Sequence, residues 1–481
     1  MTKIDFIIGG KAVPALDGAV YDRLDPVTGE TATTYAAGSP EDAVRVADAA
    51  QAAFADWSQT GPGTRRKILL KAADLMETRV EEFTDLMLRE TGSTRPWGGF
   101  NVMLAAGMLR EAAALTTQIT GEVIPSDKPG VLSMAIRQPA GVVLGMAPWN
   151  APVILGVRAV AAPLACGNTV ILRGSEACPG THRLIIQTLN DAGLPPGVAN
   201  YLTNAPERAP EVVEALIAHP AVRRINFTGS THVGRIIAKL AAEHLKPVLL
   251  ELGGKAPLIV LDDADLDQAV DAAAFGAFMN QGQICMSTER LIVDEKVADE
   301  FVARLAKKAG GLPAGDPRGN VVLGSLIDSK AANRMREMIE DATAKGATLA
   351  AGGDIDGSIV AASLLDGVTS DMRIYSEESF GPVKSIIRVK DVDEAVRIAN
   401  DTEYGLSAAV FSRDLTRAMA VAKRLQTGIC HINGPTVADE PQMPFGGTKA
   451  SGYGRFGGRQ VIDEFTETRW ITIEGEQHYP F

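Results

Sequence analysis

Cysteine is scarce in this sequence of 481 residues, which contains four, and no two of them form a C-x-x-C pair. The six histidines likewise lack a spacing that is typical of metal ligands. Disulfide scaffolds and zinc sites depend on such patterns, so we exclude both and predict no metal. Few and scattered thiols are usual in a reducing compartment, and we predict a cytoplasmic protein.

Long apolar runs and basic clusters are also missing. Arg158, Pro163 and Asn168 interrupt the longest apolar stretch, residues 151–172, which disfavours a membrane span. The N-terminus has no signal-peptide pattern. The net charge is −12, and no run of Lys or Arg forms a basic stripe. We therefore expect neither nucleic acid nor a membrane as a partner.

Helical and strand-like patterns occupy most of the chain. Helical spacing of apolar residues begins at Ser39, where Ser39-x-x-Asp42 resembles a capping box, and strands alternate with helices from residue 139 onward. This alternation over such a length indicates parallel sheets in two or three domains. We predict an α/β fold with two parallel-sheet, Rossmann-like domains and a site between them.

One thiol lies in an unusual setting. Residues 280–290 read N-Q-G-Q-I-C-M-S-T-E-R, which places Cys285 in a polar run rather than on a regular apolar face. Reactive thiols occur in such settings, but a single thiol in a loop is weak evidence for a nucleophile. Cys166 and Cys430 have apolar neighbours, as expected of small packing residues.

Three other motifs each allow a functional and a structural interpretation. The run I-N-F-T-G-S-T-H-V-G at 225–234 leads a strand into a helix, whose start could bind phosphate or could simply be capped by Ser230. Glu251, in L-L-E-L-G-G-K, could be a buried general base or could pair with Lys255. Asn150 follows a strand, and its amide could donate to an oxyanion or cap the next helix.

The order of these motifs along the chain resembles one family. The pieces that carry the resemblance are P-W-N at 148–150, F-T-G-S-T at 227–231, L-E-L-G-G-K at 250–255, G-Q-I-C-M-S around Cys285, E-E-S-F-G-P at 377–382, N-D-T-E-Y-G-L-S-A at 400–408 and P-F-G-G-T-K-A-S-G at 444–452. Together they are similar to the NAD(P)-dependent aldehyde dehydrogenase superfamily over essentially the whole chain.

The resemblance implies a covalent mechanism. Cys285 would attack the aldehyde carbon, and Asn150 Nδ2 and the Cys285 backbone N–H would hold the oxyanion. Hydride transfer to the nicotinamide would leave a thioester, which Glu251 would help water to hydrolyse. All three residues are present, which argues against a non-catalytic relative. A glutamate base also favours water over coenzyme A as the acceptor of the acyl group.

The resemblance also implies a set of cofactor contacts, at Trp149, Arg173, Glu176, Gly229, Ser230, Gly234, Glu378 and Phe380. The family usually has Lys at the position of Arg173, and the arginine fork would suit a 2′-phosphate better. The carboxylate of Glu176 would instead repel a phosphate. We therefore expect NAD to be preferred, with some use of NADP.

Arg158 is a second departure from the family pattern. Many relatives have Lys there, which is thought to assist proton transfer together with a glutamate that matches Glu467. Arg does not release a proton near neutral pH. We therefore predict that Arg158 is a structural or electrostatic partner of Glu467.

The pattern of the whole chain looks closest to aromatic aldehyde dehydrogenases of the salicylaldehyde and vanillin type. The residues that we expect along the aldehyde tunnel are apolar, and they are Met146, Val153, Leu155, Val157, Ile284, Met286 and Phe445. Such walls suit a flat apolar ring. The alternative is an aliphatic aldehyde or a dicarboxylic semialdehyde, for which Arg158 is a candidate cation.

The resemblance also implies a division into domains. Residues 1–118 and 139–250 would form the cofactor-binding domain, and residues 251–449 the catalytic domain. Residues 119–138 would form an oligomerisation arm together with the returning segment 450–481. Strand addition through this arm would give a homodimer or a homotetramer.

Overall fold

A computed structural model describes residues 3–481. Its strands are β1 (Lys3–Ile4), β2 (Phe6–Ile8), β3 (Lys11–Val13), β4 (Val20–Leu24), β5 (Thr31–Ala36), β6 (Glu122–Ile124), β7 (Leu132–Pro139), β8 (Val142–Met146), β9 (Thr169–Arg173), β10 (Ala199–Leu202), β11 (Val222–Thr228), β12 (Val248–Glu251), β13 (Ala256–Val260), β14 (Thr288–Asp294), β15 (Thr348–Ala351), β16 (Ile355–Asp356), β17 (Ile359–Val360), β18 (Ser363–Asp366), β19 (Val383–Val389), β20 (Ser407–Phe411), β21 (Ile429–Ile432), β22 (Gly452–Tyr453) and β23 (Thr466–Ile473).

The α-helices are α1 (Pro40–Ser58), α2 (Pro62–Thr78), α3 (Val80–Thr91), α4 (Arg95–Leu115), α5 (Pro152–Ala165), α6 (Pro179–Asp191), α7 (Ala209–Ala218), α8 (Thr231–Glu243), α9 (Leu266–Phe278), α10 (Glu295–Gly310), α11 (Ser329–Ala344), α12 (Arg373–Ser376), α13 (Val392–Asn400), α14 (Leu415–Ala422) and α15 (Gln460–Phe465). The capping box predicted before α1 is present, because Ser39 Oγ accepts from the Asp42 backbone N–H and Asp42 accepts from the Ser39 N–H. None of the helices in residues 3–481 is long and apolar enough to cross a membrane.

The first large sheet has eight strands in the order β22-β12-β11-β8-β9-β10-β2-β3. Its five central strands, β12 to β10 in that order, are parallel. Strands β8 and β11 are neighbours, but the chain continues from β8 to β9 on one side and from β11 to β12 on the other. Their carboxyl ends therefore form a topological switch point, where open α/β sheets bind ligands.

The second large sheet has seven strands in the order β15-β18-β19-β14-β13-β20-β21, and every pair except β15 with β18 is parallel. These two sheets confirm the predicted α/β class. The polypeptide passes from the first sheet to the second through residues 252–255, between β12 and β13. The domain boundaries given above stay a prediction.

A small antiparallel sheet, β23-β7-β6, brings two distant chain segments together. Its longest pairing joins β23 to β7, from Thr466 opposite Pro139 to Ile473 opposite Leu132. We call this sheet the arm. Its strands fall almost entirely within residues 119–138 and 450–481, the two ranges that the resemblance assigns to an oligomerisation arm.

Candidate active site

The polar residues after β8 and β11 lie side by side, because Met146 and Phe227 are paired near the ends of these strands. Trp149 and Asn150 follow the first strand, and Ser230 follows the second. Strand β12 is the next neighbour of β11, and its last residue is Glu251. Three of the predicted site segments are thus brought together by strand order alone.

The loop before Cys285 is conformationally strained. Asn280, Gln281 and Gly282 all have positive φ, at 48°, 55° and 71°. Two consecutive non-glycine residues in this region are costly, and such strain persists only where the surrounding structure imposes it. Here Gln281 Nε2 donates to the carbonyl of Ser325 at 3.1 Å, which ties the loop to the neighbouring chain segment.

Asn150 is held in place from three sides. Its backbone carbonyl accepts from Trp97 Nε1 at 3.0 Å and from Asn280 Nδ2 at 2.9 Å. Its side-chain Nδ2 donates to the carbonyl of Gln283 at 2.9 Å, which leaves the second amide hydrogen for another acceptor. Asn150 does not cap α5, whose N-cap residue is Ala151.

Glu251 is buried without a hydrogen-bond partner. Its side chain belongs to a residue that is 1% exposed, and neither carboxylate oxygen has a partner among residues 3–481. The structural alternative of a pair with Lys255 does not occur, because Lys255 Nζ instead contacts Glu289 at 2.7 Å. Burial raises the pKa of Glu251 to about 7, against a smaller lowering by the neighbouring Cys285 thiol.

Cys285 is half-buried beside this carboxyl group. Burial, followed by the charges of Glu251 and Glu378, raises the pKa of its thiol well above the ordinary value. A thiolate therefore requires a nearby proton acceptor, and Glu251 is placed to be one. The backbone N–H of Cys285 has no acceptor in the described part of the chain, so it is available to a ligand.

One cavity of about 290 Å³ joins the candidate catalytic and cofactor residues. It is lined by Pro148, Trp149, Asn150, Leu155, Thr228, Gly229, Ser230, Glu251, Leu252, Gly253, Cys285, Glu378 and Phe380. Pro148, Thr228, Leu252 and Gly253 line the cavity but are not among the predicted site residues, although all four lie inside the quoted motifs. Their position within those motifs is the only sequence signal that could identify them.

The far side of this cavity is shaped by Glu378 and Phe380. The Phe380 ring meets the Trp149 ring edge-on at 5.7 Å, and the Phe380 backbone has φ 49°. Glu378 Oε1 accepts from the Gly254 N–H at 2.8 Å. Burial raises the pKa of Glu378 to about 7.

The start of α8 contains both a cap and close backbone packing. Ser230 Oγ accepts from the Val233 N–H at 3.3 Å, so the predicted N-cap is present. A Cβ atom at Gly229 would collide with the Phe227 ring, and one at Gly234 would collide with Leu252. Glycine at these two positions is therefore required by packing around the helix start.

Arg173 and Glu176 pair with each other at 3.1 Å. Arg173 Nε also donates to Asn204 Oδ1 at 2.9 Å. Glu176 and Trp149 both line a second cavity of about 610 Å³, which lies outside the catalytic one. Of these two predicted cofactor contacts, Glu176 thus shares a cavity with Trp149, and Arg173 is oriented by its own carboxylate partner.

The predicted pairing of Arg158 with Glu467 is wrong. Arg158 forms a buried ion pair with Asp439, and its guanidinium lies 4.3 Å from the centre of the Phe445 ring. Glu467 belongs to the arm strand β23, and its carboxylate faces Arg223 and Arg224 at 3.7 and 3.9 Å. No motif marks Asp439, so the sequence carried no signal for this pair.

The predicted tunnel residues do not all line one cavity. Leu155 lines the catalytic cavity, while Ile284 and Met286 are buried on either side of Cys285. Phe445 lines a smaller cavity of about 40 Å³ together with Arg158.

Val153 and Val157 are fully buried in α5 and belong to the same apolar core as these side chains. The predicted placement of Met146 along the tunnel is wrong, because Met146 packs with Val142 and Leu144 in a different core. Alternation along β8 turns these three residues to the face opposite Val143, which belongs to the core that contains α5.

Comparison with known proteins gives consistent matches. The profile of the aldehyde dehydrogenase family matches residues 14–471. A vanillin dehydrogenase from a Pseudomonas species is 62% identical, and a salicylaldehyde dehydrogenase from Pseudomonas putida is 53% identical, each with 100% of both chains aligned. The crystal structure of a salicylaldehyde dehydrogenase from Pseudomonas putida complexed with salicylaldehyde has a TM-score of 0.98 at 52% identity, covering 100% of both chains.

These matches agree with the fold and with the geometry of the site. The profile covers nearly the whole chain, and the similar proteins align from end to end. They confirm the resemblance that the ordered motifs indicate. The chain belongs to the aldehyde dehydrogenase family, whose enzymes oxidise aldehydes with NAD(P).

Proposed function

We propose that this enzyme oxidises an aromatic aldehyde of the vanillin, salicylaldehyde or benzaldehyde type to the carboxylate, with NAD as the preferred cofactor. The observation that carries the proposal is that Cys285, Glu251 and Asn150 line one cavity in which the Glu251 carboxylate has no other partner among residues 3–481. Similar proteins named for vanillin, salicylaldehyde and benzaldehyde support the aromatic class.

The first step is attack by the thiolate. Glu251 accepts the proton of the Cys285 thiol, and the sulfur then bonds to the aldehyde carbon. The carbonyl oxygen becomes an oxyanion, which accepts hydrogen bonds from Asn150 Nδ2 and from the Cys285 N–H. Each such donor is worth about 3 kcal/mol in the transition state, because it is already oriented in a site that excludes water.

Several residues fit a bound dinucleotide. Gly229 and Gly234 let Phe227 and Leu252 pack closely around the start of α8, whose backbone N–H groups and dipole favour a pyrophosphate. Glu378 and the edge-on pair of Trp149 and Phe380 border the same cavity as Cys285. Glu378 and Phe380 would hold the nicotinamide end of the cofactor, which would supply an acceptor for the hydride lost from the carbon bound to Cys285, so that a thioester remains on the sulfur.

Glu251 completes the reaction as a general base. With a pKa of about 7, a sizeable fraction of the carboxylate is ionised at neutral pH and can take a proton from water. The resulting hydroxide attacks the thioester carbon, and the carboxylate product leaves as the sulfur is released. Glu251 thus accepts a proton in each half of the reaction, and it must release the thiol proton to solvent before it can take one from water.

The walls of the site support an aromatic substrate. Leu155 offers apolar surface in the catalytic cavity, and Ile284 and Met286, on either side of Cys285 in the chain, are buried apolar side chains. Such surroundings suit a flat ring that has few polar groups to desolvate. Arg158, the candidate cation for a dicarboxylic semialdehyde, is already neutralised by Asp439. A second carboxylate on the substrate would have to displace that buried partner, which disfavours the alternative substrate.

The cofactor preference rests on the pair of Arg173 and Glu176. The guanidinium group of Arg173 already donates hydrogen bonds to Glu176 and to Asn204. A 2′-phosphate would have to approach the Glu176 carboxylate, whereas a free ribose hydroxyl could donate to it. This arrangement supports NAD, with some use of NADP.

One set of steady-state measurements tests the substrate class and the cofactor together. We expect kcat/KM to be higher for vanillin, salicylaldehyde and benzaldehyde than for hexanal and succinate semialdehyde at saturating NAD. Repeating the best substrate with NADP should give a lower kcat/KM for that cofactor. Higher values for the aliphatic compounds would contradict the aromatic proposal, and a higher value for NADP would contradict the preference.

A further inference from the structure

A cluster of buried charges lies beneath the proposed site, centred on Glu289 of β14, which is 1% exposed. One oxygen of this carboxylate accepts from Ser379 Oγ at 2.6 Å and from Lys384 Nζ at 2.7 Å. The other accepts from Lys255 Nζ at 2.7 Å and from the Ser379 backbone N–H at 2.8 Å. The carboxylate therefore makes four hydrogen bonds, two of them with one serine.

Such a cluster is not the simplest way to fill a core. Burial alone would raise the pKa of Glu289, but the ammonium groups of Lys255 and Lys384 outweigh burial and lower it to about 2. Well-packed apolar side chains are often at least as stabilising as buried ions, so the cluster requires a reason other than stability.

The cluster joins three segments that carry the proposed chemistry. Glu289 follows Cys285 by four residues, and Lys255 follows Glu251 by four residues. Ser379 lies between the two residues that we assign to the nicotinamide end of the cofactor. Glu289 is thus the point at which the nucleophile, the base and the cofactor segment are physically connected.

The cofactor segment, residues 377–380, is held tightly along its backbone. The carbonyl of residue 377 accepts from Lys255 Nζ at 2.6 Å. The next two carbonyls accept from the guanidinium of Arg334 at 2.6 and 3.2 Å. The segment ends in Phe380, whose positive φ must be maintained by its surroundings.

We propose that Glu289 is a positioning residue for the cofactor, acting through Ser379 to hold Glu378 and Phe380 at the nicotinamide. The proposal rests on the NAD-dependent oxidation proposed above. It explains why a serine, rather than an apolar residue, lies at the centre of this segment. The Ser379 side chain gives the segment a hydrogen bond to a charged acceptor, a stronger contact than one between neutral groups.

The test is Ser379→Ala, which removes the short Oγ hydrogen bond to Glu289 and leaves all three charges paired. It also removes two longer contacts of Oγ, with Lys384 Nζ at 3.3 Å and with the carbonyl of Gly381 at 3.2 Å. We expect KM for NAD to rise about tenfold, since a hydrogen bond to a charged group is lost. Turnover at saturating NAD should change less than KM. Hydrolysis of p-nitrophenyl acetate without cofactor, which needs only the thiol and the base, should stay within about twofold.

Ser385→Ala is the matched control. Ser385 is a fully buried serine on β19, and its Oγ donates to the backbone carbonyl of Glu289 at 2.9 Å without contacting the cofactor segment. This variant should leave KM for NAD and the ester hydrolysis unchanged. Equal effects of the two serine variants on KM, or no effect of Ser379→Ala, would overturn the proposal.

A second variant, Glu289→Gln, keeps the shape of the side chain but removes its charge. It should raise KM for NAD at least as much as Ser379→Ala if it folds, and the serine variants decide the matter if it does not. Failure of the proposed function itself would be distinguishable, because the unaltered enzyme would then show no NAD-dependent oxidation of any aromatic aldehyde.

Discussion

At the scale of single residues, Glu251 and Cys285 form a coupled pair. Glu251 is buried, Cys285 is half-buried beside it, and each has a raised pKa. A neutral thiol and a neutral carboxyl group are the stable state of such a pair at low pH. Raising the pH through the pKa of the carboxyl group creates the base that the proposed mechanism needs.

We therefore predict that kcat rises with pH and levels off above about 7, because Glu251 acts as a base only when it is deprotonated. Glu251→Gln should lower kcat by roughly 10² to 10⁴, the usual range for loss of general-base catalysis, and should abolish the inflection. The measurement is kcat against pH for both proteins.

Glu378→Gln is the control for this profile, because burial raises the pKa of Glu378 to about 7 as well. We expect that variant to raise KM for NAD and to keep the inflection in kcat. If the inflection survives in Glu251→Gln and disappears in Glu378→Gln, the assignment of the base is wrong.

Residue roles were predictable only where a motif marked them. Cys285, Glu251 and Asn150 stand in recognisable motifs, and the structure places them on one cavity. Arg158 and Asp439 are 281 residues apart, and neither the spacing nor the local pattern indicates their ion pair. Contacts between residues that are distant in sequence and that no motif marks depend on tertiary packing, and the spacing of apolar residues does not encode that packing.

At the scale of elements, the strained loop of residues 280–282 positions Cys285, the proposed nucleophile. Three successive positive φ angles reverse the chain between α9 and β14. Gly282 is the position with the least freedom, because a Cβ atom there would collide with the carbonyl oxygen of Gly381.

We predict that Gly282→Ala destabilises the protein by about 2–4 kcal/mol, through positive φ combined with a steric clash. Displacement of the loop should also slow labelling of Cys285 by iodoacetamide and lower kcat. The midpoint of thermal unfolding, the labelling rate and kcat are the three measurements.

Gly346→Ala is the control that separates the effect of backbone strain from the effect of a steric clash. Gly346 has φ 100°, and a Cβ atom added there would meet nothing within 4 Å, so its substitution adds strain alone. The cost should be about 1–2 kcal/mol, with no change in thiol labelling. Equal behaviour of the two glycine variants would contradict a specific role for the loop at residues 280–282.

The sequence alternation predicts two parallel sheets correctly, but not how they face each other. Asn150 and Ser230 follow the carboxyl ends of strands in the first sheet, as the general rule for α/β sites expects. Cys285 and Phe380 precede β14 and β19, so the second sheet contributes the amino ends of its strands. The alternation of strands with helices indicates that the strands within a sheet are parallel. The orientation of one sheet relative to the other depends on side-chain packing, which this pattern does not encode.

At the scale of the whole molecule, the arm exposes apolar side chains on its two outer strands. Val123 on β6 is 71% exposed, and Trp470 on β23 is 75% exposed. Exposed edge strands with apolar residues are sites where another chain can add. This supports our proposal that the enzyme is a homodimer or a homotetramer.

We predict that Trp470→Glu reduces the oligomeric state, because a charge would be buried in the proposed subunit contact. The mass in solution, measured by light scattering after gel filtration, should fall to about half or less, as expected when a closed symmetric oligomer loses an interface. Leu415→Glu, at a residue of α14 that is 64% exposed, should leave the mass unchanged. An unchanged mass for Trp470→Glu would contradict the role of the arm.

The pairing of β22 with β12 has a consequence for how the chain is made. Glu251 lies opposite Gly452, and Leu250 lies opposite Tyr453, so the outer edge of β12 is closed by β22, which comes late in the chain. A nascent chain emerges from the ribosome N-terminal end first. The first sheet therefore keeps an open edge until nearly the whole chain has been synthesised, and fragments that end before residue 452 should expose that edge to aggregation rather than fold as independent cofactor-binding units.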